Sequence, residues 1–220
     1  MTEPAKHFQD MTLAGFSDAL ASEAPVPGGG SAAALAACLA AGLTAMVVRL
    51  SLGRSAYGAY AGLHQEALEA AEAARRRFMD LAEEDALAYS AYLAAWRLPR
   101  ESREQQIRRD AAKGAAAQLA ATVPLEVVQE CHRLVELAER LAGRTNVRLA
   151  SDLDVAVVLL DAAARGAAAN AVVNLESTGD AGFSGGVLAE LDQRLRQIQS
   201  ATARTREEVR KGSPRSPEAR

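Results

Sequence analysis

Aromatic residues make up only 4% of the sequence, and it holds only two cysteines and three histidines. Cys38 and Cys131 lie far apart and form no C-x-x-C pair. That spacing excludes a zinc ribbon or a disulfide scaffold and suits a reducing, cytoplasmic setting. His7, His64 and His132 are scattered, with no H-E-x-x-H. No G-x-S-x-G elbow, phosphate loop or dinucleotide-binding glycine pattern occurs, so no metal is expected and triad chemistry has no carrier. Neither charge sign dominates: the net charge is −3 and the sequence pI about 5.7. Nucleic-acid binding usually shows as a basic patch, and none is expected here. The first residues, MTEPAKHFQD, lack the apolar core of a signal segment. Long alternating β-branched runs, the mark of half-buried strands, are missing too.

What the sequence has in excess is alanine, the best helix former, whose small side chain lets helix axes approach closely. The expected class is all-α, an up-and-down bundle of about seven helices. They are placed at Phe8 to Ala21, Gly30 to Leu52, Gly62 to Arg97, Glu101 to Ala121, Pro124 to Gly143, Ser151 to Leu175 and Val187 to Arg210. Leu98-Pro99 stops the third, because the residue before a proline avoids helical backbone. Pro124 is placed at the first turn of the fifth, where its missing N–H costs nothing. STGDAGFSGG reads as a glycine-rich break before the last. A single domain over 1–210 is expected, followed by a disordered polar tail, 211–220.

Ala32 to Val48 carries no charge. This is at the short edge of the roughly 17–25 residues that a membrane span needs. Alanine and glycine gain little in lipid, and no second uncharged run of this kind is present. The favoured reading is a helix buried on all sides within a bundle or at a subunit contact. Ala33, Ala37, Ala41 and Ala45 then form one small-residue row for a neighbour. Ahead of this helix stands Pro27-Gly28-Gly29-Gly30-Ser31. Glycines allow close backbone approach, and the free N–H groups of a helix start favour an anion. A tight packing turn or a flexible spacer would use the same residues.

Two carboxylates lie on helical faces that should turn inward. On the third helix Asp85 shares a stripe with Phe78, Leu81, Tyr89, Tyr92 and Trp96, while Glu83 and Glu84 fall off it and should be solvated. A buried carboxylate needs a partner or a task. Tyr89 or Trp96 are core residues or flank a flat ligand. On the sixth predicted helix Asp152 shares a face with Ala156, Leu159, Ala163, Gly166, Asn170 and Asn174, and Asp161 and Arg165 pair outward. Ser151 is read as the N-cap, with Asp154 completing a capping box. Structural pairing of the aspartates, and helix-to-helix hydrogen bonding of the asparagines, stand beside the functional reading.

PVPGGGSAAALAACLAAGLTAMVVRLSLG, EDALAY (Glu84 to Tyr89), WRLP, ATVPLEV and NVRLASDLDVAVVLLDAAARGAAANAVVNL (Asn146 to Leu175) occur in this order. Together they resemble the cyclodeaminase domain of formiminotransferase-cyclodeaminase and its stand-alone bacterial relatives, among them methenyltetrahydrofolate cyclohydrolases. The resemblance implies an all-helical homodimer or larger assembly, a tetrahydrofolate one-carbon substrate and no further cofactor. In the cyclodeaminase reaction N10 attacks the formimino carbon and ammonia leaves, giving 5,10-methenyltetrahydrofolate. In the cyclohydrolase reaction water adds to the methenyl carbon and the ring opens to 10-formyltetrahydrofolate. A helical protein that binds folate without turnover is the alternative of another class.

The same resemblance makes Asp85 and Asp152 the catalytic candidates, one for the pterin edge and one for the proton. It makes Pro27, Gly28, Gly29, Gly30, Ser31, Arg54, Tyr89, Asn146, Ser151, Asn170 and Asn174 candidates for substrate binding. Arg49, Arg54 and Arg148 are candidates for the glutamate carboxylates. Ser51-Leu52-Gly53-Arg54-Ser55 replaces the expected L-T-x-G-K-(K), which weakens the expectation for polyglutamate tails. No formiminotransferase segment is present, so a formimino substrate would come from a separate transferase.

Overall fold

The computed structural model describes residues 7–214. Among them there are six α-helices and no strand: α1 (Leu13–Leu20), α2 (Gly29–Arg49), α3 (Ala61–Trp96), α4 (Arg103–Leu141), α5 (Ala150–Leu175) and α6 (Ala181–Arg210). Short 3-10 turns at Phe8–Asp10, Ser55–Tyr60 and Val147–Leu149 join them. Four helices close a ring in the order α2, α3, α4, α5, and α6 covers the seam between α4 and α5.

The predicted fourth and fifth helices are one. Pro124 lies buried inside α4 instead of opening a helix. A mid-helix proline has no N–H for the carbonyl four residues earlier, and here that carbonyl belongs to Ala120. Asn174 of α5 donates its side-chain N–H to Ala120 O at 2.7 Å and replaces the missing bond. The other bounds move less. The first predicted helix splits at Met11-Thr12, where Thr12 Oγ1 accepts from Gly15 N at 3.0 Å. The last begins six residues early, because Asp180 Oδ1 accepts from Phe183 N at 2.9 Å and nucleates a turn through the glycines. Ser102 and Gln105 form a capping box at the start of α4. Gly143, with φ +73°, turns the chain away after it, in a region that side chains avoid. Of the predicted tail, Lys211 still caps α6, and residues 215–220 lie outside the described residues.

The core is built on alanine. Ala33, Ala37, Ala41 and Ala45 are all buried, as expected of the small-residue row on α2. Facing them are Ala67, Ala71, Ala74 and Ala82 of α3, and Ala156, Ala163 and Ala167 of α5. Phe78, Leu81, Leu141, Leu153, Leu160 and Ile198 fill the wider layers. By length and composition two helical segments are apolar enough to cross a membrane, α2 and Val147–Leu175, where one was expected. Most of the apolar window of α2 is buried inside the fold. One side of the ring is less covered: Leu39 of α2 is 62% exposed, and Val155, Val158, Val172 and Val173 of α5 are also exposed.

Polar ties hold the helices in register. Arg77 of α3 bridges Glu84 on its own helix and Glu126 of α4, at 2.5 and 2.6 Å. Glu84 is therefore paired, and Glu83 accepts the backbone N–H of Phe8, so neither is the solvated residue expected of it. Asp161 and Arg165 pair outward at 3.0 Å, as expected.

Candidate functional site at the start of α2

The glycine run leads into α2 and forms its start. Gly28 is the N-cap in extended backbone, and Gly29 and Gly30 form the first turn. The turn abuts the middle of α3, so its unpaired N–H groups face Asp85. Asp85 Oδ2 accepts the Ser31 hydroxyl at 2.9 Å, and the carboxylate also accepts the Ser31 backbone N–H. Ser31 Oγ lies 3.1 Å from Ala82 O as well. A hydroxyl carries one proton, so Ser31 serves either the carboxylate or the carbonyl at a given moment. Burial pushes the Asp85 pKa up, and the two Ser31 bonds only partly oppose it. A carboxyl so placed holds a proton more readily than an exposed aspartate and can still release it.

The glycines are required here for space. A β-carbon on Gly30 would fall 2.1 Å from Asp85 Oδ1. One on Gly29 would fall 3.2 Å from Asn170 Nδ2. The chain therefore needs glycine to bring a helix start, a carboxylate and an amide to one point. A cavity of about 400 Å³ opens beside it. Gly28, Gly29, Gly30, Asp85, Tyr89, Asn170 and Asn174 all line it, as the sequence reading required of a substrate site. Pro25, Val26, Ala120, Ala169 and Val173 complete the wall; sequence periodicity did not point to them, because apolar loop and rim residues carry no pattern of their own.

Several expected site residues take other roles. Pro27 is buried and does not line the cavity. Ser31 is fully buried and reaches Asp85, not the open space. Asn170 donates to Gly166 O at 2.8 Å and Asn174 to Ala120 O, which leaves their carbonyl oxygens for a ligand. Trp96 lies outside the lining; Lys113 and Arg109 of α4 stack over its ring. Tyr92 is held by Ser177 at 2.9 Å.

Arg54, Asn146, Ser151 and Asp152 are not at this site. α2 and α5 run antiparallel, so the start of α5 lies beside the end of α2. Asp152 is 18 positions from Asn170 on α5, about 27 Å at 1.5 Å per residue. The two aspartates therefore stand at opposite ends of the α2–α5 pair. Asn146 is buried and shapes the turn into α5: its Oδ1 accepts from Arg148 N, and its own N–H donates to Ser51 Oγ at 2.8 Å. Ser151 is exposed within the first turn; the N-cap is Leu149. Asp154 pairs with Arg206 of α6 at 2.8 Å and caps nothing. Arg49 is engaged with Glu72 at 2.7 Å, and Arg54 donates to Leu50 O. Arg148 is exposed. Asp152 is half-buried and has no hydrogen-bond or ion-pair partner among the described residues.

A methenyltetrahydrofolate cyclohydrolase of Methylorubrum extorquens is 34% identical over 199 residues, covering 90% of this chain and 96% of that protein. The formimidoyltransferase-cyclodeaminase of Mus musculus is 31% identical over 177 residues, 80% of this chain, which spans only 33% of that longer protein. The crystal structure of a formiminotetrahydrofolate cyclodeaminase from Thermotoga maritima superposes with a TM-score of 0.84 at 27% identity, covering 92% of this chain and 98% of that one. The sequence profile described as formiminotransferase-cyclodeaminase matches residues 12–193, from the cap of α1 into α6, and the chain belongs to that family.

Proposed function

We propose that the protein is an enzyme of folate one-carbon metabolism that moves a proton at the N5–carbon–N10 system of a tetrahydrofolate. The observation that supports this best is Asp85, a partly buried carboxylate with a raised pKa in a cavity beside a helix start. Both candidate reactions need one group that takes a proton and returns it elsewhere. In the cyclodeaminase direction, N10 bonds to the formimino carbon. Asp85 takes the N10 proton and delivers it to the departing nitrogen, which leaves as ammonia. In the cyclohydrolase direction, water bonds to the methenyl carbon and gives its proton to Asp85. The carbon–N5 bond then breaks as that proton passes to N5, the second water proton leaves the hydroxyl for solvent, and the formyl group stays on N10. The carbonyl oxygens of Asn170 and Asn174 suit the amino edge of a pterin, and Tyr89 offers a face to its ring. The chemistry rests on these residues and the folate itself.

Each reaction has support among the relatives, the cyclodeaminase also from the mouse enzyme. The Thermotoga cyclodeaminase shares the fold over nearly its whole length, and the Methylorubrum cyclohydrolase matches over 96% of its own. The cyclodeaminase reading needs a separate transferase to supply its substrate. Incubating the purified protein with 5-formiminotetrahydrofolate and, separately, with 5,10-methenyltetrahydrofolate decides between them. Growth of the methenyl absorbance in the first gives the deaminase, and its loss in the second, above the spontaneous rate, gives the hydrolase. Folded protein that is silent in both is the non-catalytic binder. We also infer a homodimer, because the apolar side of α2 and α5 is uncovered in one chain. A 23 kDa species in sedimentation at micromolar concentration would defeat that assembly.

A further inference from the structure

None of the residues lining the Asp85 cavity is cationic, whereas the proposed substrate ends in glutamate carboxylates. Arg49 is engaged with Glu72, and Arg54 and Arg148 belong to the far end of the α2–α5 pair. The carboxylates need a cation nearer to the cavity.

α3 leads from the cavity towards one. α2 starts beside Asp85 and runs antiparallel to α3, so that Cys38 meets Arg75 and Arg49 meets Glu72. The stretch of α3 from Asp85 to Trp96, about three turns, therefore extends past the start of α2 and packs on α4. Tyr89, Tyr92 and Trp96 lie on the Asp85 face of this stretch, within about 40° of it. Tyr89 lines the cavity. Tyr92 is tied to Ser177, and its ring meets Trp96 edge-on with centroids 6.1 Å apart. On α4, Ala120 lines the cavity, and Lys113 stands on the same face about two turns earlier.

The two helices bring their polar groups together at that end. Lys113 Nζ is 3.8 Å from the centre of the Trp96 ring and Arg109 Cζ 5.0 Å. Arg109 also donates to Trp96 O at 3.1 Å. Lys113 has no carboxylate partner among the described residues. An aromatic face attracts an ammonium but leaves its N–H groups free to bond to an anion. Asp85 and Trp96 are separated by about 16 Å at 1.5 Å per residue. A p-aminobenzoyl group and one glutamate, extended from a one-carbon centre at Asp85, cover that span with a hydrogen bond at each end.

We propose that the α3–α4 hairpin is the subsite for the glutamate tail, with Lys113 and Arg109 on its carboxylates and the p-aminobenzoyl ring along Tyr89 and Tyr92. Exposed Arg97 and Arg100, on the turn that follows Trp96, meet any further glutamates. The subsite rests on the folate reading of the Asp85 site.

Calorimetric titration tests it with three probes: 5-formyltetrahydropteroate, which ends at the benzoyl group, 5-formyltetrahydrofolate with one glutamate, and its pentaglutamate form. Lys113→Met keeps the side-chain length and removes the charge. It is expected to weaken both glutamate-bearing probes roughly tenfold or more, the scale of one charge-assisted hydrogen bond, and to leave the pteroate unchanged. In turnover the same variant should raise KM with kcat unchanged, the mark of binding that is equal in the ground and transition states. Equal weakening of all three probes overturns the subsite, because Lys113 then holds the hairpin and not the tail. Weakening of none overturns it too. So does binding of all three to the wild type with one affinity, and in that case the reading of the Asp85 site stands. Failure of every probe to bind the wild type overturns that reading and the subsite with it.

Discussion

Gly30 and Asp85 occupy one space: a β-carbon on the glycine would stand 2.1 Å from a carboxylate oxygen and 2.5 Å from its carbon. Only a turn of the Asp85 side chain that gives up its Ser31 bonds can relieve that overlap. Gly30→Ala should therefore drive the carboxylate from the α2 start. Turnover should fall by about 100-fold or more, while circular dichroism still shows a helical protein. Near wild-type turnover in that variant would mean that the position of Asp85 is not needed for the reaction.

Replacing the carboxylate itself should separate catalysis from stability. Asp85 has a raised pKa, so the folded state favours its proton. Stability from such a group is complete below the unfolded pKa, about 3.9, and is lost as pH rises through the folded pKa. Asp85→Asn does not titrate. Its melting temperature should equal that of the wild type in acid and exceed it at neutral pH, with turnover lost. Equal melting curves at every pH would show that burial of the charge costs nothing.

Asn174 and Pro124 should be coupled. Asn174→Ala strands the Ala120 carbonyl, a loss of about 1–3 kcal/mol for a buried acceptor. Pro124→Ala restores an N–H that can bond to that carbonyl within α4. In denaturant unfolding, Asn174→Ala should cost less in the Pro124→Ala background than in the wild type. Additive costs would show that the asparagine does not serve the proline.

Asp154 supplies the control on α5. Its pair with Arg206 is half-exposed, and such solvent-screened pairs contribute little to stability. Asp154→Asn should keep full turnover and melt within a few degrees of the wild type. A large loss of activity would show that the start of α5, far from the Asp85 cavity, bears on the reaction.

The sequence by itself determined the class, most helix bounds, the buried alanine row of α2 and the functional interest of Asp85, Asn170, Asn174 and the glycine run. These follow from spacing along a helix, and periodicity is a local property. Pro124 marks where that reasoning failed: a proline ends a helix unless another chain segment satisfies the freed carbonyl, and Asn174, fifty positions on, does so. Only the tertiary structure decided that Gly30 must lack a side chain, that Ser31 holds the carboxylate and that Asp154 pairs with α6. It also separated Asp85 from Asp152, although both lie on inward helical faces. A helical face tells which way a residue points and not which end of the bundle it occupies. That depends on α2 and α5 running antiparallel, which is settled when the four helices close their ring.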